Sequence, residues 1–307
     1  MQKRSRPSAK ATWFNAIAEK IGGSDFALNS KRLLCRSAPP RGRHLNQTHI
    51  LTHSLFAGGA GTRGFEAIAS INTMTDDLTE IEAKIGELEE RRRKAMAMGG
   101  EKKLAKRRNT GELNARERIE HLVDESSFFE TGLLGTSGVY PQDHDVTPTD
   151  GKITGYARLD GRDISLVVND FTVKGSSTSA TNSKKVGQVK RTGTERGMPI
   201  VFVGESTGAR LPDAMGSRGM GALLGNDITQ FQRMRDTPWV SAALGFSFGS
   251  SAWLACCSDF AVMRRGSTMA VSSPRLVSRA IGQAVDLEEL GGWKLHAETT
   301  GQIDKVV

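Results

Sequence analysis

Two stretches of this chain have the same design, a short apolar strand that runs into small residues and then a helix start. One is Pro199-Ile-Val-Phe-Val-Gly-Glu-Ser-Thr-Gly-Ala-Arg210, and the other is Trp239-Val-Ser-Ala-Ala-Leu-Gly-Phe-Ser-Phe-Gly-Ser-Ser-Ala-Trp253. Apolar runs this short, bounded by glycine, read as buried strands of a parallel sheet. A glycine turn that opens a helix leaves backbone N–H groups without partners, aimed outward. Two such turns side by side could converge on one carbonyl oxygen and stabilise an enolate or tetrahedral oxyanion with no side-chain catalyst.

The formal charge of +8 is unevenly placed, and its location decides what it means. Residues 1–73 carry 11 Lys and Arg against the acids Glu19, Asp25 and Glu66, so the rest of the chain is neutral. The excess is therefore no evidence for a nucleic-acid-binding body. The run Lys102 to Arg108 has no interleaved aromatic residue of the kind single-strand binding uses, and reads as a solvated helix face. No run of 18 or more apolar residues occurs, so no membrane span is expected. Cys35, Cys256 and Cys257 are too few and too badly spaced for a disulfide framework or a four-thiolate zinc site. Cys256 and Cys257 are expected to pack as small apolar side chains in a reducing compartment.

Residues 1–73, rich in Arg, Ser, His and Gly, read as a disordered basic leader, a transit peptide, or sequence upstream of a true start at Met74, the last being favoured. Residues 74–150 form a helical N-terminal segment and linker. Leu78, Ile81, Ile85 and Leu88 recur at helical spacing, with acids ahead and Arg91 to Lys94 behind, as the helix dipole favours. Asn114 and Glu117 form a capping box for a second helix. From residue 151 the pattern is α/β: strands Ile153–Leu159 and Ile164–Val168 joined by an Asp160-Gly161 hairpin turn, then helices alternating with short strands. Helices are expected around Ser183–Gly193, Asp227–Met234 and Ser250–Cys257, with strands Ile200–Val203, Val240–Leu244 and Phe260–Met263.

Several motifs in register then carry a resemblance. Leu113-Asn-Ala-Arg-Glu-Arg-Ile119, Glu125-Ser-Ser-Phe128, Asn169-Asp-Phe-Thr-Val173, Ser206-Thr-Gly-Ala-Arg210, Gly245-Phe-Ser-Phe-Gly249, Ser258-Asp-Phe260 and Glu288-Glu-Leu-Gly-Gly292 stand here together, followed by Lys294 and His296. From about Asp76 onward the chain resembles the carboxyltransferase β subunit of biotin-dependent acyl-CoA carboxylases, of the propionyl-CoA or acetyl-CoA type. The resemblance implies an α/β fold, a crotonase/ClpP-like spiral of ββα units preceded by a helical N-terminal segment. It implies transfer of carboxylate from carboxybiotin, supplied by a partner carrier protein, to the α-carbon of an acyl-CoA. No cofactor is expected to be bound covalently and no metal is expected. A biotin carboxylase or carrier subunit and further copies of the chain are the implied partners, in the cytoplasm, or in the mitochondrial matrix if the leader is a transit peptide.

By motif position, Thr207, Gly208, Gly249 and Ser250 are the oxyanion donors. Gly175, Ser176, Ala209, Arg210 and Phe248 are the implied substrate contacts. The family usually has Gly-Gly at both Thr207-Gly208 and Gly249-Ser250. A side chain there is tolerable only where φ is negative. Family members continue into a second domain of the same fold that holds the biotin, and this sequence ends near the close of the first. A fragment, a chain with a separate partner, or a non-catalytic scaffold would each read this way, and a crotonase-like acyl-CoA decarboxylase or hydrolase is a further alternative. Alone, the chain is expected to bind CoA esters better than it transfers carboxylate.

Other signals are weaker. Gly216 to Gly225 lacks the Gly-Lys-Ser/Thr ending of a P-loop and reads as a mobile flap or a tight loop near the acyl pocket. His121 and His296 lack metal-ligand spacing, and His144 between Asp143 and Asp145 reads as a solvated turn. Ser206 is not in a Gly-x-Ser-x-Gly elbow, which leaves Glu205 as the one nearby acid or base for a hydrolase. Arg210 reads first as a loop-holding residue, and Lys174, Lys184, Lys185 and Lys190 as solvated lysines that could instead meet CoA phosphates.

Overall fold

A computed structural model describes residues 9–22, 63–138, 147–214 and 236–307. The helix expected at Asp227–Met234, the loop Gly216–Gly225 and His144 lie outside the described residues. The chain divides into two compact units, residues 1–31 with 93–307, and residues 32–92.

The first unit is built on a mixed sheet of eight strands: β1 (Phe129–Thr131), β2 (Lys152–Leu159), β3 (Arg162–Asn169), β4 (Ile200–Thr207), β5 (Trp239–Phe248), β6 (Phe260–Met263), β7 (Thr268–Ala270) and β8 (Lys305–Val306). Their order is β1-β2-β3-β4-β5-β6-β8, with β7 also paired to β5. β1, β2 and β3 are antiparallel neighbours, and every pairing from β3 to β8 is parallel. The hairpin between β2 and β3 turns at Asp160 and Gly161, with φ of 51° and 73°, the two left-handed residues that a tight hairpin turn requires. Asp124 holds that turn by accepting both of its N–H groups, at 2.9 and 2.7 Å. The Gly161 N–H bond, ahead of the Asp160 one, keeps the Asp124 carboxyl below the usual carboxylate range despite a small opposing effect of desolvation.

Helices α1 (Ala9–Gly22), α2 (Arg63–Met96), α3 (Glu101–Asn109), α4 (Ala115–Leu122), α5 (Ala180–Arg196), α6 (Leu211–Ala214), α7 (Ser250–Cys256), α8 (Pro274–Ile281) and α9 (Leu287–Gly291) accompany the sheet. α4 begins with the expected capping box. Asn114 Oδ1 accepts the N–H groups of Arg116 and Glu117, and Glu117 Oε2 accepts that of Asn114.

The central strands read as continuous apolar runs because both faces are covered. Ile153, Ile164, Leu166, Val168, Val201 and Val240 are fully buried in the main cluster, and Ile119 and Leu122 of α4 lie on it. A second cluster gathers Val167, Val189, Ile200 and Phe202 around Trp239, whose ring meets Phe202 edge-on at 5.7 Å.

Four features differ from the sequence reading. First, α1 falls within residues 1–73 yet places Ile17, Ala18 and Ile21 in the main cluster, stacks Phe14 on Phe260 and pairs Lys20 with Asp160. This part of the basic stretch is therefore an element of the folded body. Second, α2 starts at Arg63 and runs through Met74 without a break. Its residues Ile81, Ile85 and Leu88 are exposed. Third, Cys256 is exposed and only Cys257 leans on the core. Burial pushes both thiols above their ordinary range. Strands β4 and β5 also run four residues further than expected, to Thr207 and Phe248. Sheet pairing carries the chain through the polar residues that end each apolar run.

Candidate functional site

The parallel register places Thr207 beside Phe248 and so brings the turns that follow β4 and β5 into contact. Gly208 has φ 96° and Gly249 has φ 66°, conformations that L side chains rarely adopt. A Cβ on Gly249 would lie 3.2 Å from Gly208 Cα. The two backbones therefore touch, and glycine is required at both positions. Thr207 and Ser250, the non-glycine residues of the two turns, are absent from the positive-φ residues, so neither side chain strains the backbone. Thr207 instead packs on Gly175, where an added Cβ would meet Thr207 Cγ2 at 2.6 Å, and donates through Oγ1 to Gly175 O at 3.3 Å.

The N–H groups of Gly208 and Gly249 have acceptors within the fold. Gly208 N–H donates to Ser206 Oγ at 3.2 Å. Gly249 N–H is shared between the carbonyls of Ala270 and Val271, at 3.2 and 3.1 Å. Ser250 is the first residue of α7, where N–H groups have no partner one turn back. Thr178 joins the two turns. Its N–H donates to Gly208 O and its O accepts from Arg210 N, both at 2.8 Å, while its Oγ1 shares a hydrogen with Ser250 Oγ at 2.7 Å. Phe248 is buried and stacks on the half-exposed Phe246, and Ala209 is exposed beside the turn.

Beneath the turns lies a buried polar layer. Thr149, Asp150 and Gly151 are left-handed in succession, and so are Lys174, Gly175 and Ser176. Ser176 Oγ donates to Gly151 O at 2.8 Å and ties the two runs together. Asp150, fully buried, accepts from Arg210 Nη1, Ser179 Oγ and Asn182 N. Arg210 also reaches Ser177 Oγ and Ser177 O, so its guanidinium faces inward and holds the loop. Lys185 donates to Thr149 O and Lys152 O at 2.8 and 2.7 Å, and Lys190 lies over the Trp239 ring. These two lysines are thus buried parts of the body and are not placed to meet phosphates from solvent. Lys174 and Lys184 are exposed. Burial draws the ammonium groups of Lys152 and Lys185 down to about 8, with Asp150 opposing the shift in both cases.

Glu205 is locked in place. Arg107 donates to both of its oxygens, at 3.0 and 2.7 Å, and Arg118 adds a bond of 2.6 Å. Burial raises its carboxyl, but Arg118 and Arg107 together outweigh that and hold it below the usual range. An ionised carboxylate saturated by two arginines is a strut between the N-terminal helices and β4. It does not serve as the acid or base that a hydrolase reading needs. His296 is likewise structural, with Nε2 on Met269 O at 2.7 Å and Nδ1 on Thr300 Oγ1 at 3.2 Å.

Reading the sequence did not pick out Lys152, Asp150 or Thr178. The available signal was a lysine directly after Asp-Gly, at the opening of a strand whose alternate residues Ile153, Ala157 and Leu159 are apolar.

The site thus defines the chain as an α/β domain whose parallel strands β4 and β5 end in two touching glycine turns. Residues 106–307 match the carboxyl transferase domain family, and the chain belongs to that family. It is 30% identical over 224 residues to the carboxyltransferase subunit of propionyl-CoA carboxylase from Haloferax mediterranei, covering 72% of this chain and 43% of that protein. It is also 30% identical over 230 residues to the methylmalonyl-CoA decarboxylase alpha subunit of Veillonella parvula, covering 73% and 44%. Among solved structures, transcarboxylase 12S with methylmalonyl-coenzyme A bound superposes with a TM-score of 0.65 at 29% identity, covering 74% of this chain and 44% of that one. The chain thus spans somewhat under half the length of these relatives.

Proposed function

We propose that this chain is the acyl-CoA-binding half of a carboxyltransferase, with the two glycine turns holding the thioester oxygen while the α-carbon gains carboxylate. The contact between the Gly208 and Gly249 turns, in a chain of this family, is the observation that carries the reading. As charge builds on the oxygen, donors fixed in place stabilise it without reorganising, and losing one such donor typically costs about 3 to 4 kcal/mol. On the second turn we assign the donor to Ser250 N–H, because Gly249 N–H already has two carbonyl acceptors that hold the turn. On the first, Thr207 and Gly208 supply it, with Gly208 N–H shared with Ser206 Oγ. Gly175, Ser176, Ala209 and Phe248 form the wall beside these donors, and Arg210 supports them from below.

Carboxybiotin, brought by a partner carrier, supplies the carboxylate in this chemistry. We assign no residue of this chain to holding it, and the crotonase-like spiral with a second domain, the biotin partner and the homo-oligomer all belong to the same proposal. Decarboxylation of an acyl-CoA passes through the same oxygen-stabilised carbanion, and the likeness to the Veillonella subunit supports it as the second reading.

Calorimetric titration of the chain with propionyl-CoA, acetyl-CoA and free CoA tests the site, with a tighter acyl-CoA than CoA expected. Equal affinities would remove the thioester assignment. Carboxylation or methylmalonyl-CoA decarboxylation after the chain is combined with a biotin-bearing partner separates the two readings.

A further inference from the structure

Lys152 opens β2, is 4% exposed, and has no role in the chemistry described above. Its ammonium donates to Ser176 O at 3.2 Å and to Asn169 Oδ1 at 3.1 Å. Each acceptor leads to a different turn. Ser176 O also accepts from Ser206 Oγ at 3.1 Å, and Ser206 Oγ in turn accepts the N–H of Gly208. Asn169, in the opposite direction, donates through Nδ2 to Ser251 Oγ at 3.2 Å, in the first turn of α7. One buried cation is thus the common node of two hydrogen-bond chains, one ending at each glycine turn.

Ser176, one of the two residues it holds, needs holding. Its φ is 49°, and a left-handed non-glycine residue costs about 1–2 kcal/mol. Such strain persists only where the surroundings over-determine it. Bonds from an ammonium are stronger than neutral ones and can supply that constraint.

We propose that Lys152 is a positioning residue that sets the spacing of the two oxyanion turns, anchoring the first through Ser176 and Ser206 and the second through Asn169 and Ser251. Its value for acyl-CoA rests on the carboxyltransferase reading, but its hold on the turns does not. A purely structural lysine would stabilise the fold evenly, whereas this one should act on two separated segments at once.

The test is hydrogen–deuterium exchange of the full chain without ligand, beside calorimetric titration with acetyl-CoA and with free CoA. In Lys152→Met, peptides spanning 173–178, 204–210 and 248–253 should exchange about tenfold faster, as local opening predicts, while the β2–β3 hairpin turn keeps its rate. Acetyl-CoA affinity should fall about tenfold, the worth of roughly one lost hydrogen bond, with free CoA unchanged. Ser251→Ala cuts only the last link of one chain and should loosen 248–253 alone, so it carries the test if Lys152→Met does not fold. Unchanged turn peptides in Lys152→Met, all peptides accelerating together, or unaltered exchange at 248–253 in Ser251→Ala would each overturn the proposal. If wild type fails to prefer acetyl-CoA over CoA but the exchange pattern appears, the acyl-CoA reading falls and the positioning role stands.

Discussion

At the scale of single residues, glycine is required where φ is positive and the backbone is crowded, and Thr207 and Ser250 fall beside those positions. Gly249 meets both conditions, with φ 66° and Gly208 Cα in the path of any Cβ. Gly249→Ala should cost about 1–2 kcal/mol of stability from the left-handed conformation alone, and push the turns apart. Denaturant unfolding and acetyl-CoA titration should both register the change, whereas Ser250→Gly, at a position without positive φ, should leave stability within about 1 kcal/mol. The buried lysines give a pH signature. Burial draws the Lys152 and Lys185 ammonium groups down to about 8 in the folded chain, from an ordinary 10.5. Between those values the unfolded chain binds more protons, so unfolding free energy rises with pH. Asp150, Arg210, Arg116 and Glu130 are the charged groups that face the pair. Urea unfolding at pH 8 and pH 10 should show the rise in wild type and a smaller one in Lys152→Met; an equal slope in both would assign it elsewhere.

At the scale of elements, the sheet dictates where each motif ends. The apolar runs Ile200–Val203 and Val240–Leu244 are legible because a strand buried on both faces has to be apolar. Their continuation to Thr207 and Phe248 is not, since the polar residues there are held by partners remote in sequence, Glu205 by Arg107 and Arg118, Ser247 Oγ by Gly204 O. The Asn114 capping box and the Asp160-Gly161 turn are local chemistry and stand where the sequence places them. α1 shows the opposite case. Its composition is that of a basic leader, yet Ile17 and Ile21 sit on α4 and the hairpin strands at no more than 1% exposure. Ile17→Ala should therefore destabilise the protein by about 2–4 kcal/mol, as a buried Ile truncation does. A urea midpoint within error of wild type would show that α1 contributes nothing to the body.

At the scale of the whole molecule, the sheet's parallel half collects the chemistry at one end, where strands β4 and β5 finish side by side. Homologous transcarboxylase 12S is described as a hexamer, and on the carboxyltransferase reading this chain should also self-associate. Sedimentation at several concentrations should show species larger than the 33.2 kDa chain, strengthened by a biotin-bearing partner. A monomer at every concentration would separate acyl-CoA binding from assembly.

The cores of strands β2 to β6, the family, and the pair of glycine turns were legible in residue patterns alone, because periodicity, capping and turn chemistry act over a few residues. Which N–H groups remain available, which lysines turn inward, and that Glu205 is a strut were decided only by the tertiary structure. Most of those outcomes depend on partners well separated in the chain, such as Ala270 for Gly249, Ser176 for Lys152 and Arg107 for Glu205. A buried charge is defined by what surrounds it, and no local pattern specifies that.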